Sequence, residues 1–262
     1  MVHRQAGWTS LNRKVRKRSP GIEGITHIIK TGELEHEQQP LLKKLKLILL
    51  FNPIMEWIDT THAMRLWMHH RNRKAGIEEG KPISHYKIKD FVDFYGINMD
   101  DFEPSNLEKY STFEDFFVRK HREGTRPLEE INNPKRATVV ADARVVVYDT
   151  VAESKKLWIK GSDFSIINLV MDNKLGARFK DAAVASFRLS PQDYHRYHSP
   201  VSGTIKDFRS LPGDYYQVDP IALRSKVNIL TNNARDYVVI DSPEFGEVLL
   251  VAIGATDVGT VE

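Results

Sequence analysis

From residue 137 onward the chain breaks into short runs rich in Val, Ile, Tyr and Phe, separated by Gly, Pro, Asp and Asn. This texture limits the fold more than any other feature, because β-rich runs bounded by turn formers build sheets. Strands are expected over 138–141, 144–150, 157–160, 184–189, 203–209, 215–218, 237–241 and 247–253, with one helix over 165–171. The run 247–253, flanked by Gly246 and Gly254, reads as a buried central strand that needs a neighbour on each side. Upstream the period changes. Ser84 is placed to cap a helix carrying Ile88, Phe91, Val92 and Tyr95 on one face, and Gly96 stands where a left-handed residue would stop it. Ser105 with Glu108, and Ser111 with Glu114, have capping-box spacing, the second leading into Phe113, Phe116 and Phe117. The expected class is α+β: a helical N-terminal, membrane-associating part followed by a β-rich core. The boundaries are a basic, flexible arm over 1–39, a mainly helical region over 40–122 and the β-rich core over 123–262.

Charge is distributed in a way that the net value of +3 conceals. Residues 1–30 hold seven Lys and Arg against one acid, with Arg13, Lys14, Arg16, Lys17 and Arg18 the densest group. Such a cluster suits an anionic phospholipid surface or nucleic acid phosphates. Nothing couples it to base-stacking aromatics, so no nucleic acid partner is expected. No window approaches the ~20 apolar residues needed to span a bilayer. The Leu-rich run over 41–51, broken by Lys43, Lys44 and Lys46, and the following stretch with Trp57 and Trp67 suit an interfacial position; two packed helices explain the same letters.

The absence of Cys removes zinc ribbons, iron-sulfur clusters and thiol nucleophiles together. Phosphate-binding loops, nucleophile elbows and H-E-x-x-H are missing as well. What remains is the polar run Asp193-Tyr194-His195-Arg196-Tyr197-His198-Ser199-Pro200 between two expected strands. His195 and His198 lack a third ligand at a recognisable spacing, so no metal is expected. Imidazoles at this position suit general acid–base work, or they hydrogen-bond the loop backbone. Asp142, between Ala141 and Ala143, is a candidate partner, or else a turn residue. An Asp–His pair is two-thirds of a serine-activating triad.

The run 189–203 closely resembles the D-Y-H-R-x-H-x-P signature of phosphatidylserine decarboxylases. Other segments agree in order: 113–120 with Gly124, Arg126 and Pro127 resembles F-x-x-F-F-x-R … G-x-R-P, and 141–144 resembles the A-D-x-R element. Residues 159–165 resemble I-K-G-x-x-[FY]-S, and 253–259 resemble I-G-A-x-x-V-G. The likeness covers 84–262 and is nearest in style to the fungal and plant extramitochondrial type. It implies decarboxylation of phosphatidylserine to phosphatidylethanolamine on a self-generated pyruvoyl group, which holds the substrate amine as a Schiff base and delocalises the carbanion left by CO2 loss. It assigns Asp142 and His198 to self-cleavage and His195 to the decarboxylation step, as proton donor or substrate-positioning group.

The resemblance places the pyruvoyl-forming serine in a Gly-Ser-Thr or Gly-Ser-Ser segment beyond the I-G-A element. Neither tripeptide occurs here. The core is therefore expected to be C-terminally truncated, with no cofactor-binding residue of its own and a pyruvoyl-bearing α-chain as partner. The other expected partners are phosphatidylserine and an anionic membrane surface, and a homodimer is compatible with the resemblance. The expected location is peripheral, at the cytoplasmic face of an endomembrane, with mitochondria as the alternative. Two alternative functions stand beside this one: an inactive lipid-binding relative, and a member acting on a free amino acid.

Overall fold

The computed structural model describes residues 25–27, 34–36, 62–128, 130, 132–157, 164–216, 218, 228–256 and 258. The basic cluster over 13–18 and the Leu-rich run over 41–51 lie outside the described residues, as does Trp57. Within the expected arm, β1 (Ile25–His27) and β2 (Leu34–His36) pair antiparallel.

The helical region contains α1 (His62–Glu79), a 3-10 turn over Pro82–Tyr86, α2 (Lys87–Tyr95) and α3 (Phe113–Phe117). In α2 the apolar spacing works as read: Ile88 and Val92 are buried and Gly96 ends the helix at φ +62°. Ser84 does not cap it. Buried one turn earlier, its Oγ donates to Glu79 O at 2.6 Å and accepts from Phe113 N at 2.8 Å, so it joins the end of α1 to the start of α3. The two capping boxes are displaced by one residue. Asn106 accepts from Glu108 N and Thr112 from Asp115 N, because the neighbouring Asn and Thr carry equally good acceptors at the required offset. Ile88, Val92, Tyr110 and Phe116 form the core of this part, with Phe91 and Phe113 packed against it. Full burial of such side chains contributes about 1.5–3 kcal/mol each.

β3 (Phe102–Glu103) and β4 (Lys120–His121) pair antiparallel, with Phe102 opposite His121. The β-rich part continues with β5 (Arg144–Tyr148), α4 (Val151–Leu157), α5 (Ile166–Val170), α6 (Asn173–Arg178), β6 (Val184–Arg188), β7 (Thr204–Leu211), α7 (Ile229–Asn232), β8 (Arg235–Ser242) and β9 (Gly246–Ile253). β5 pairs with β6, and β7, β8 and β9 form an antiparallel three-stranded sheet in that order. Tyr237 and Val239 of β8 pack on Phe164, Ile166, Leu169, Val170, Leu175 and Phe179.

Three expectations are corrected. The central strand is β8, which alternates inward Tyr237 and Val239; β9 pairs only with β8 among the described residues. Residue 157 closes α4, whose first turn is capped by Thr150 Oγ1 accepting from Glu153 N; residues 158–160 lie outside the described set. Residues 138–141, 215, 216 and 218 are not strand. At Tyr216 the Asn233 side chain takes the place of a partner strand, accepting from Tyr216 N at 3.0 Å and donating to its O at 2.8 Å. The helix expected over 165–171 is α5, with Ser165 as its cap and Met171 left-handed at φ +53°. No helix among the described residues is long and apolar enough to cross a membrane.

Candidate active site

The loop from Ser190 to Pro200 is fastened to the segment that closes α3. Arg119 is 1% exposed, its guanidinium lying over the rings of Phe102 (4.3 Å) and Phe116 (4.8 Å). Its Nη2 donates to Gln192 O at 2.6 Å. Arg196 Nε donates to Val118 O at 2.7 Å, and Asp193 Oδ2 accepts from Ser190 N at 2.6 Å to close the turn. Burial lowers the Arg119 pKa to about 10, which still leaves the group charged at neutral pH.

His195 is placed by these contacts. Its ring stacks on Phe117 at 3.9 Å and its Nε2 donates to Ser190 O at 3.1 Å. A carbonyl only accepts, so Nε2 carries the proton and Nδ1 is the bare nitrogen of the neutral ring. Burial, then the Arg119 charge, push its pKa down to about 4. At neutral pH this histidine offers no imidazolium.

His198 lies on the exposed side of the loop. Its backbone N donates to Val140 O at 2.8 Å, and Thr138 N donates to Pro200 O at 2.8 Å, so residues 138–140 and 198–200 run side by side without forming a regular strand. The His198 Nε2 shares a hydrogen bond with the Tyr194 hydroxyl at 3.0 Å. Tyr194 stacks in turn on His121 at 4.1 Å, and His121 on Phe102 at 5.0 Å. Phe102, Val140, Ala141 and Tyr194 make the apolar floor beneath this row of rings.

Asp142 sits at the edge of the row. Arg126 holds its carboxylate from one side, with Nη2 to Oδ2 at 2.8 Å, while His121 Nε2 approaches Oδ2 at 3.4 Å. Burial lowers the His121 pKa and the Asp142 charge opposes that. The structure therefore links Asp142 and His198 through a row of rings and sets His195 of the same loop on Phe117, but there is no direct Asp142–His198 hydrogen bond among the described residues. His121 and Tyr194 lie between them. No group of three or more metal-ligating side chains occurs among the described residues.

This cluster falls within a stretch, residues 113–262, that matches the family model for phosphatidylserine decarboxylase. The chain belongs to the phosphatidylserine decarboxylase family. It is 34% identical over 230 residues to phosphatidylserine decarboxylase proenzyme 3 of Schizosaccharomyces pombe, covering 88% of this chain and 24% of that protein. It is 41% identical over 194 residues to proenzyme 2 of Oryza sativa, covering 73% and 31%. With the proenzyme of Fusobacterium nucleatum it shares 32% identity over 232 residues, covering 88% and 75%. The chain thus spans less than a third of the length of the fungal and plant relatives named here.

Four residues of the cluster escape a reading of the sequence for chemistry. Arg119, Arg126 and Tyr194 are letters of the decarboxylase-like segments, but spacing does not reveal that they face the histidines. His121 carries no sequence signal; only the β3–β4 pairing, which sets it opposite Phe102, brings it to Asp142.

Proposed function

We propose that this chain provides the self-cleavage and substrate-positioning residues of a decarboxylase that converts phosphatidylserine to phosphatidylethanolamine with a pyruvoyl group. The observation that carries the reading is the row of rings, His121 and Tyr194, that joins Asp142 to His198 inside the segment that matches the family, with His195 held on Phe117 in the same loop as His198. The donor set fits such a group: His198 is exposed, Tyr194 occupies only its Nε2, and no other hydrogen bond engages the ring among the described residues. When present, the pyruvoyl group supplies the electron sink for the carbanion left by CO2 loss.

The roles follow from the environments. His198 takes up a hydroxyl proton at Nδ1 during self-cleavage, while Tyr194 orients the ring from Nε2. Asp142 places a negative charge beside His121, which burial otherwise keeps neutral, at the far end of the row of rings from His198. His195, neutral at physiological pH, receives a hydrogen bond at Nδ1 and so positions the substrate headgroup rather than delivering a proton from an imidazolium. Partners in this reading are phosphatidylserine, a pyruvoyl-bearing α-chain and an anionic membrane surface at the cytoplasmic face of an endomembrane. Helix α1 supports the last of these: Leu66 and Trp67 are 57% and 54% exposed, and Arg71 lies over the Trp67 ring at 5.6 Å.

The test is chain processing and phosphatidylethanolamine formation in the complete gene product. Asp142→Asn and His198→Ala block cleavage, whereas His195→Gln cleaves and fails to decarboxylate. Normal cleavage in His198→Ala removes His198 from that role.

A further inference from the structure

Arg126 takes no part in the chemistry just described, yet it makes the most complete contact that Asp142 has. Its Nε donates to Oδ1 at 3.0 Å and Oδ2 at 3.1 Å, and its Nη2 to Oδ2 at 2.8 Å. The guanidinium is itself held, with Nη1 donating to Asp101 Oδ2 at 3.2 Å and to Thr125 O at 3.0 Å. A planar fork engaging both carboxylate oxygens fixes the plane of the acid as well as its place. The two side chains are 38% and 32% exposed, so the pair adds little to stability. Orientation is what the arrangement provides.

We propose that Arg126 is the positioning residue for Asp142, setting the carboxylate plane so that Oδ2 faces His121 and the row of rings leading to His198. The proposal rests on the assignment of Asp142 to self-cleavage. Removing the fork leaves His121 against the carboxylate among the described residues. His121 is consequently a reporter. It is faced by the Asp142 carboxylate, the Arg126 guanidinium, the Asp101 carbonyl and the stacked rings of Tyr194 and Phe102. Asp101 and Asp142 raise its proton affinity, and Arg126 lowers it.

The experiment follows the His121 ring by 15N NMR across pH in the 262-residue chain. Arg126→Gln removes a cation, which by itself moves the midpoint up, and releases the carboxylate from its place opposite the imidazole, which moves it down. Asp142→Asn moves it down. In the Asp142→Asn background only the loss of the cation remains, so Arg126→Gln moves the midpoint up at least twice as far there as in the parent. An equal move in both backgrounds, or none in either, overturns the proposal. Arg126→Lys keeps the charge but not the fork, and serves if the Gln variant does not fold; its midpoint lies below that of the parent, and an unchanged midpoint counts against positioning.

Self-cleavage in the complete gene product separates this inference from the reading beneath it. Arg126→Gln slows cleavage by about ten- to a hundred-fold, the scale expected for a misplaced group. Parent-like cleavage in Arg126→Gln, with Asp142→Asn and His198→Ala blocked, overturns the positioning role and leaves the assignment of Asp142 intact. Normal cleavage in those last two variants overturns both.

Discussion

The Tyr194 hydroxyl lies 3.0 Å from His198 Nε2, with the two rings within 4° of parallel. Tyr194 is 4% exposed, so the contact is made by a fixed phenol to an exposed imidazole. The wall of the cluster thus dictates which nitrogen of His198 faces outward.

Tyr194→Phe keeps the stack and deletes the hydrogen bond. Its effect on stability is about 1 kcal/mol. Its effect on His198 is larger, because the exposed ring loses the hydrogen bond that holds Nε2. The 15N signal of Nε2 shifts in the variant and the ring's order parameter falls. An unchanged ring spectrum would remove Tyr194 from the orienting role.

His195 gives stability a defined pH dependence. Its pKa is about 4 in the folded chain, against ~6.5 for an unfolded histidine. As pH falls the unfolded chain takes up the proton first, so this contribution is complete above the unfolded value and is lost between the two. The loss is about 3 kcal/mol at most. Urea midpoints measured from pH 7.5 to 4 fall less steeply in His195→Gln than in the parent; equal slopes would contradict the buried, neutral ring.

Much of this architecture is legible in the sequence, and the failures have physical causes. Helix α2, helix α5 and strands β5 to β9 follow from apolar periodicity, Gly96 and the Ser165 cap. Residues 138–141 have strand-forming letters, but their backbone partners are the irregular residues 198–200, a pairing no local pattern encodes. Asp142, His195 and His198 are legible as chemistry because polar groups are concentrated there. The path from Asp142 to His198 is not, since His121, which makes it with Tyr194, arrives through the β3–β4 pairing. Ser84 shows the same limit: a good capping residue was drawn into a tertiary bridge to Phe113.

Arg235 is 3% exposed and donates to Leu169 O, Asn233 O and Asn168 O at 2.5, 2.7 and 3.1 Å, tying the end of α5 to β8. Arg235→Met leaves these carbonyls without their donor. The expected loss is about 2–4 kcal/mol in urea unfolding, and a loss below 1 kcal/mol would show that water replaces the guanidinium freely.

Gly176 lies in helix α6, where Gly→Ala ordinarily stabilises by about 1 kcal/mol. Here a Cβ would lie 2.4 Å from the Cα of Ile167 in α5. The sign therefore reverses, and Gly176→Ala lowers the melting temperature. A rise would mean that α5 and α6 can separate without cost.

Binding to anionic vesicles should weaken with added salt, with deletion of residues 1–30 and with Trp67→Ala, by separate routes. The first two act on charge and the last on interfacial insertion. Co-sedimentation with phosphatidylserine-containing and neutral vesicles distinguishes them, and salt-independent binding would exclude the basic arm as anchor.

The most direct test of the whole account is the intact mass of the gene product isolated from its source, for the parent and for His198→Ala. The account predicts two chains in the parent, one holding Asp142, His195 and His198 and the other beginning with a pyruvoyl group, and a single uncleaved chain in the variant. A single uncleaved parent chain that converts phosphatidylserine to phosphatidylethanolamine, or a cleaved His198→Ala, would contradict it.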